Sequence, residues 1–402
     1  MDNKKIMWVS NNPLLVTGYA HVTKEICKRL SDRGHEVFVV GDQYIGQPTK
    51  MKDFFVMPRS DAGKDLLFSW MKQVDPDYVV FLEDTFTLAK QQFANVDWSQ
   101  MKPKILIYHP QDGWGIPTPG LSVMKVADQL VAMSKFGQEL TKVEMDIDTP
   151  FIHHGIDPKT FNPVSNERKM ELRKKYQIPE DAFLFSYVGR NSLRKMNQLL
   201  LETMVKFMKD HKDVYFMGHI SNPGDGGLDL YDFLKRGIAS RARSDIYDDV
   251  INSNRIKFNP RAQSLMLGAS NEEMAEIYQM SDCYISSSSG EGFGMPLTEA
   301  MACGIPVIAT DFTTTKELIL DGPLEPRGFG IKPQAIWTSS FNVDHAIWDQ
   351  EDALKCMELM YSDDDLRETM GKAGIEFIQD NCLWDDLVDK WEVVFENTEK
   401  RK

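Results

Sequence analysis

The stretch Ser286-Ser-Ser-Ser-Gly-Glu-Gly-Phe-Gly-Met-Pro-Leu-Thr-Glu-Ala-Met-Ala-Cys-Gly-Ile-Pro-Val-Ile-Ala-Thr310 reads as a strand end, a glycine loop, a helix, a tight turn and a second strand. Cys283-Tyr-Ile-Ser286 is short and β-rich, and Gly290, Gly292 and Gly294 behind it let a ligand approach the backbone. Pro296 suits a first helical turn, Leu297 to Ala302 carries good helix propensity, and Gly304 stops the helix. Ile305 to Ala309 is an apolar strand of the kind buried in a parallel sheet. Free N–H groups and the positive dipole end at such a helix start face any anion held in the loop. Glu291 and Glu299 flank the loop. Carboxylates suit sugar hydroxyls and not phosphates, so this order predicts a ligand with both anionic and polyhydroxyl parts.

At 402 residues the chain exceeds what one hydrophobic core usually organises, so two domains are expected. Hydrophobic content of 42% and charged content of 26% fit a water-soluble globular protein. No apolar run reaches the roughly twenty residues that span a bilayer, and Met1-Asp-Asn-Lys-Lys leads into a strand and not a signal peptide. Five scattered cysteines imply neither a disulfide framework nor a metal cluster, which makes the cytoplasm the expected home. The net charge of −14 lies almost entirely beyond residue 165 and disfavours a sequence-independent grip on nucleic acid. The nearly neutral first half leaves an anionic acceptor or a peripheral membrane contact open.

Lys5 to Ser10 is a strand, followed by a loop through Thr17 and Gly18, a helix from Ala20 to Arg33 and a buried strand from Glu36 to Val40. This is the entry unit of a Rossmann-like half, without the full dinucleotide fingerprint. Gly18 lets a phosphate or an acceptor near the helix start, or is simply a turn glycine. Strands at Tyr78–Leu82, Lys104–Tyr108 and Gln129–Met133 alternate with helical segments, which builds a parallel sheet. His109 stands at the carboxyl end of the second of these, where open α/β sheets gather ligand groups. Ser134 reads as an N-cap. His153 and His154, on opposite faces of an extended segment, read as structural.

The second domain opens with a helical stretch from Glu167 to Tyr176 and a strand from Phe183 to Gly189. Arg190 follows at once, and Lys195 stands at the start of the next helix. An Arg fork and a Lys point charge there can neutralise a diphosphate; Arg194 is a further cation to which the sequence assigns no role. A long segment follows, with Pro223-Gly-Asp-Gly-Gly227 and Arg236, Arg241 and Arg243, read as a solvated face. Residues 323–348 are rich in Pro, Gly and Trp. Trp384, Leu387, Val388, Trp391, Val394 and Phe395 give the last helix an apolar face.

Glu291-Gly-Phe-Gly-Met-Pro-Leu-Thr-Glu299 and the Ala-Met-Ala-Cys-Gly-Ile-Pro-Val after it resemble the paired-glutamate motif of family 4 retaining glycosyltransferases with the GT-B fold. The resemblance covers nearly the whole chain and is strongest in the second domain. Gly189-Arg190 with Lys195, Thr313 to Ile319, and the Gly-Ile-Asp turn before Phe161-Asn-Pro163 are similar to family segments. It implies an α/β chain of two Rossmann-like domains facing a cleft: residues 1–165 as acceptor domain, 166–382 as nucleotide-sugar donor domain, and a helix within 383–402 returning to the first. It implies that Glu291 contacts the donor sugar, Glu299 the ribose, and Gly292, Phe293, Gly294 and Met295 the diphosphate through their amides. It implies further that Arg190 and Lys195 stabilise the departing diphosphate and that His109 reaches the sugar, while Pro110 and Gln111 depart from the usual His-Asp pairing and leave Asp112 unassigned. The first loop, with Gly18, borders the cleft in that family.

The expectation is a retaining hexosyltransferase that moves a sugar from a UDP- or GDP-linked donor to an acceptor hydroxyl on a glycan, lipid, protein or small molecule. The nucleotide-diphosphate sugar is a co-substrate, and no cofactor and no metal are expected. A glutamate nucleophile in double displacement is the less favoured route. Alternatives are a nucleotide-sugar binding module with little transfer activity, a transferase acting on a modified nucleobase, and an α-glucan phosphorylase, against which the lack of a pyridoxal-phosphate lysine motif counts.

Overall fold

Ile6, Met7, Trp8 and Val9 are wholly buried, as a strand covered on both faces must be. They belong to β1 (Lys5–Asn11), the centre of the first sheet in a computed structural model that describes residues 2–221, 227–238, 248–263, 268–322 and 325–401. The chain divides into two units, Met1–Gly155 with Ser340–Val343 and Cys382–Lys402, and Ile156–Ser339 with Asp344–Asn381.

In the first unit β1 pairs in parallel with β2 (Glu36–Asp42) and, on its other side, with a later strand. The chain-order strands are β3 (Thr49–Lys50), β4 (Phe55–Pro58), the small hairpin β5 (Ser60–Asp61) and β6 (Lys64–Asp65), β7 (Tyr78–Leu82), β8 (Lys104–His109) and β9 (Gln129–Ala132). Their sheet order is β3-β4-β2-β1-β7-β8-β9, and all neighbours but β3 and β4 are parallel. The order reverses between β1 and β7, the switch point of a Rossmann-like sheet. Thr17 caps the helix Gly18–Asp32 by accepting from the Ala20 amide at 3.2 Å, and Ser134 caps Lys135–Met145 through the Gly137 amide.

The helix Trp384–Asn397 belongs to this unit. Trp391 packs edge-on to Trp8 at 5.2 Å and to Tyr108 at 5.1 Å, and the Tyr78 hydroxyl donates to the Phe395 carbonyl at 2.8 Å. A Cβ on Gly155 would stand 2.3 Å from the Trp384 ring, so only glycine fits. Each large side chain buried there contributes about 1.5–3 kcal/mol.

The second unit is a wholly parallel sheet of β10 (Phe183–Gly189), β11 (Val214–Ile220), β12 (Ile256–Phe258), β13 (Cys283–Ser286), β14 (Val307–Thr310) and β15 (Gly328–Ile331), in the order β12-β11-β10-β13-β14-β15. Its switch point lies between β10 and β13, whose registers pair Phe185 with Cys283 and Ser186 with Tyr284. The loops carrying Arg190 and Glu291 therefore leave neighbouring strands at one edge. Within residues 333–348, β16 (Pro333–Thr338) and β17 (Asp344–Trp348) pair as an antiparallel hairpin with a register shift near Pro333. Trp348, fully buried, anchors its second strand. Among the described residues no helix is long and apolar enough to cross a membrane.

Candidate active site

Gly189 ends β10 in a place no side chain could share, since a Cβ there would lie 2.3 Å from the Tyr187 hydroxyl. The chain then turns through Arg190, which is exposed, and Asn191, which is buried and donates to the Leu228 carbonyl at 2.6 Å. A single 3-10 turn, Leu193–Lys195, leads to Met196 at a φ of +50° and into the helix Asn197–Asp210. That turn places Arg194 and Lys195 on one side of the strand end.

The serine run sews this turn to the neighbouring loop. Ser287 Oγ donates to the carbonyls of Lys195 and Met196, each at 3.0 Å, and the Ser289 amide donates to the Arg194 carbonyl at 2.8 Å. From above, the Ala346 amide of β17 donates to the Ser289 carbonyl at 2.9 Å. Glu291 is thereby brought onto the cations: Lys195 Nζ binds its Oε1, and Arg194 Nη1 binds its Oε2 at 3.1 Å while also donating to the Gly290 carbonyl. Burial pushes this carboxyl up, but Lys195 and Arg194 outweigh it and hold the pKa at about 2. Glu291 is thus a carboxylate throughout the physiological range, oriented at both oxygens.

Gly294, at a φ of +100°, begins the helix Met295–Ala302 with Pro296 in its first turn. Gly292 and Met295 are half-buried and Phe293 is buried. The loop's carbonyls are held from behind: Thr314 Oγ1 donates to the Gly292 carbonyl at 3.1 Å, and Thr313 Oγ1 accepts from the Glu291 amide at 3.0 Å. Thr313 does this at a φ of +53°, a backbone state that a β-branched residue adopts only under constraint.

Glu299 rides on the same helix, and its Oε2 accepts from the Tyr278 hydroxyl at 2.6 Å. Burial raises its pKa to about 7, with the Tyr278 hydrogen bond pulling the other way. Of two carboxyls eight positions apart, Glu291 is therefore ionised while Glu299 titrates near neutrality. Tyr187 stacks on Tyr284 at 6.2 Å, and Tyr284 lies 5.9 Å from Tyr278, a row of buried rings beside the two carboxyls.

His109, which ends β8 in the first unit, is fully buried. Burial lowers its pKa to about 4, so it is a neutral imidazole; Nδ1 lies 3.3 Å from Gln111 Nε2, and Nε2 has no partner among the described residues. Gly18 is exposed at the start of its helix. His153 and His154 are buried. Residues 223–226, Arg241 and Arg243, and Pro323 lie outside the described residues; Arg236 pairs with Asp232.

The structure brings together Lys195, Glu291 and Glu299 and the loop between the glutamates, with Arg190 at the end of the neighbouring strand. Sequence reasoning left Arg194 unassigned and gave no role to Tyr278 or Thr313. Arg194 carries the one signal it could have used, a cation beside the expected lysine. Among the described residues no group of three or more His, Cys, Asp or Glu is placed to hold a metal ion.

Two Rossmann-like units with this loop at the second switch point define the GT-B class of glycosyltransferases. Residues 247–377 match the model of the family Glycosyl transferases group 1, and the chain has the fold of the GT-B glycosyltransferases. The D-inositol 3-phosphate glycosyltransferase of Kribbella flavida is 25% identical over 269 residues, 64% of this chain and 54% of that protein. The chain thus spans about half the length of such curated relatives. Sucrose-phosphate synthase from Thermosynechococcus elongatus superposes with a TM-score of 0.72 at 16% identity, covering 98% of each chain. Anabaena HepE in complex with UDP-glucose does so with 0.69 at 14% identity, over 98% of this chain and all of that one.

Proposed function

We propose that the protein transfers a hexose from a nucleotide-diphosphate sugar, UDP- or GDP-linked, to an acceptor hydroxyl with retention at the anomeric carbon. The observation that carries this reading is Glu291, ionised and pinned by Lys195 and Arg194, beside a loop that opens a helix N-terminus. Cations and loop amides at one place suit a diphosphate, and two carboxyls suit the hydroxyls of sugar and ribose. The UDP-glucose complex of HepE supports UDP as the first nucleotide to try.

In this mechanism the bond between the anomeric carbon and the diphosphate oxygen breaks while the acceptor oxygen bonds to the same face of the sugar. The acceptor proton passes to the departing phosphate oxygen, so the products are a glycoside and a nucleoside diphosphate. Arg190, Lys195 and the amides of Gly292 to Met295 stabilise the charge developing on the diphosphate, without a bound metal. Glu291 orients the sugar and Glu299 takes the ribose hydroxyls.

The test is thermal stabilisation and slow hydrolysis of UDP-, GDP- and ADP-linked sugars, with and without a chelator, beside Glu291→Ala and Lys195→Ala. One donor is expected to stabilise and be hydrolysed in both conditions, and the two variants to lose that response. Failure of every nucleotide sugar to bind sinks the reading; binding without sugar release, even with broad acceptor mixtures, reduces the protein to a nucleotide-sugar binding module.

A further inference from the structure

The first unit has its own switch point, between β1 and β7, and open α/β sheets gather ligands at the carboxyl edge there. The chain places a pair of carboxyls at that edge. Asp42 ends β2 and Glu83 directly follows β7, on the two sides of β1, which brings the two carboxyls close enough to interact. Glu83 is only 6% exposed, yet its Oε1 has no partner among the described residues. On the adjoining strand β8, next to Glu83 by register, the buried His109 Nε2 is likewise without a partner among the described residues. Two buried polar atoms on adjacent strand ends, each lacking a protein partner, mark a place built to hydrogen-bond a ligand.

The charge of this place restricts the ligand. Asp84 follows Glu83 and accepts from the Tyr19 hydroxyl at 2.8 Å. The neighbouring cation, Arg59, is already engaged by Asp65 at 2.9 Å and by Gln91 at 3.0 Å. Burial and then the neighbouring Asp42 carboxyl raise Glu83 to about 9, against the pull of Arg59, so Glu83 keeps its proton at neutral pH. With that proton directed at Asp42, the remaining carboxyl lone pairs are acceptors, a set that matches donating hydroxyls. A phosphate ester would instead face like charge in a poorly solvated setting.

Resting on the glycosyltransferase reading, we infer that Glu83 and Asp42 bind the acceptor, and that the part of the acceptor held there is an uncharged polyhydroxyl ring, a sugar or cyclitol, and not a phosphate ester. The relatives named for inositol 3-phosphate act on a phosphorylated cyclitol by name, so this chain would differ from them in acceptor charge.

The experiment titrates the full chain, saturated with UDP, with matched probes: glucose against glucose 6-phosphate, and myo-inositol against inositol 3-phosphate, read by saturation-transfer NMR and calorimetry. The neutral member of at least one pair is expected to bind at least tenfold more tightly than its phosphate. Glu83→Ala is expected to lower that binding at least tenfold, and Glu83→Gln, isosteric with the protonated acid, to recover part of the loss. Asp42→Lys is expected to reverse the preference within the pair. Equal or tighter binding of the phosphate ester, binding of neither member, or indifference of both members to these substitutions overturns the inference. The donor reading fails on a separate result, absence of stabilisation by any nucleotide sugar without acceptor, so the two failures are distinguishable.

Discussion

Thr313 Oγ1 accepts from the Glu291 amide at 3.0 Å and lies 3.3 Å from the Glu291 carbonyl, to which it donates, while its own backbone holds a φ of +53°. A strained residue thus clamps the main chain of the glutamate that the two cations hold by its side chain. Such strain costs about 1–3 kcal/mol and persists where the surroundings over-determine it.

Replacing Thr313 by Ser keeps the hydroxyl and removes the β-branch that opposes a positive φ. Thr313→Ser is expected to leave the melting temperature unchanged or raise it. Thr313→Val keeps the branch and strands a buried N–H, at a cost of about 1–3 kcal/mol. A scanning calorimetry comparison that ranked Val above Ser would show that the hydroxyl clamp has no energetic weight.

Lys195→Met removes a charge expected to stabilise the departing diphosphate and should lower kcat by about 10²–10³. Arg194, 30% exposed at its side chain, is better solvated, and Arg194→Met should cost less. Both also bear on acid stability. Glu291 is held at about 2 against a reference of 4.5, so its contribution is present above the reference value and lost as pH falls toward 2. Lys195→Met should flatten that acid limb of the melting curve, and an unaltered limb would argue that the ion pair does not form in solution.

Glu299 has the opposite sign. Its pKa stands near 7 against 4.5, so the folded protein keeps a proton the unfolded chain has lost, and this group's contribution to stability falls as pH rises from about 4.5 to about 7. Ribose hydroxyls prefer the carboxylate, so nucleotide affinity is expected to rise with pH up to about 7 and then level off. Tyr278→Phe deletes the hydrogen bond that lowers this pKa and should move the break to higher pH. Calorimetric titration of UDP from pH 5.5 to 8.5 reads it; a break unmoved in Tyr278→Phe removes Glu299 as its source.

Trp391→Ala empties a fully buried position between Trp8 and Tyr108 and should cost about 3–5 kcal/mol. The loss belongs to the first unit. UDP stabilisation of the second unit should survive at temperatures where the first has melted, seen as two calorimetric transitions of which only one responds to nucleotide.

The strand runs around Ile6, Val79 and Ile107 are apolar over successive residues, and such local patterns determine where strands and helices lie without reference to anything distant. The helix cap at Ser134, the glycine stop at Gly304 and the apolar face of Trp384–Phe395 were legible for the same reason, as was the order of loop, glutamates and helix in 286–310. The 333–348 hairpin was not, because its pairing joins residues whose pattern does not alternate cleanly and depends on burying Trp348. The site residues divide the same way. Glu291 and Glu299 announce themselves by spacing, but the partners that set their charge come from elsewhere in the chain: Lys195 and Arg194 lie 96 and 97 positions away, and Tyr278 lies 21 away. Ionisation depends on burial and on charges a few ångströms distant. Asp42 and Glu83 likewise meet only because β2 and β7 flank β1 in the sheet. Sequence alone therefore specified the order of loop, glutamates and helix at the candidate site, and the tertiary packing of distant strands decided which charges and hydroxyls surround each carboxyl.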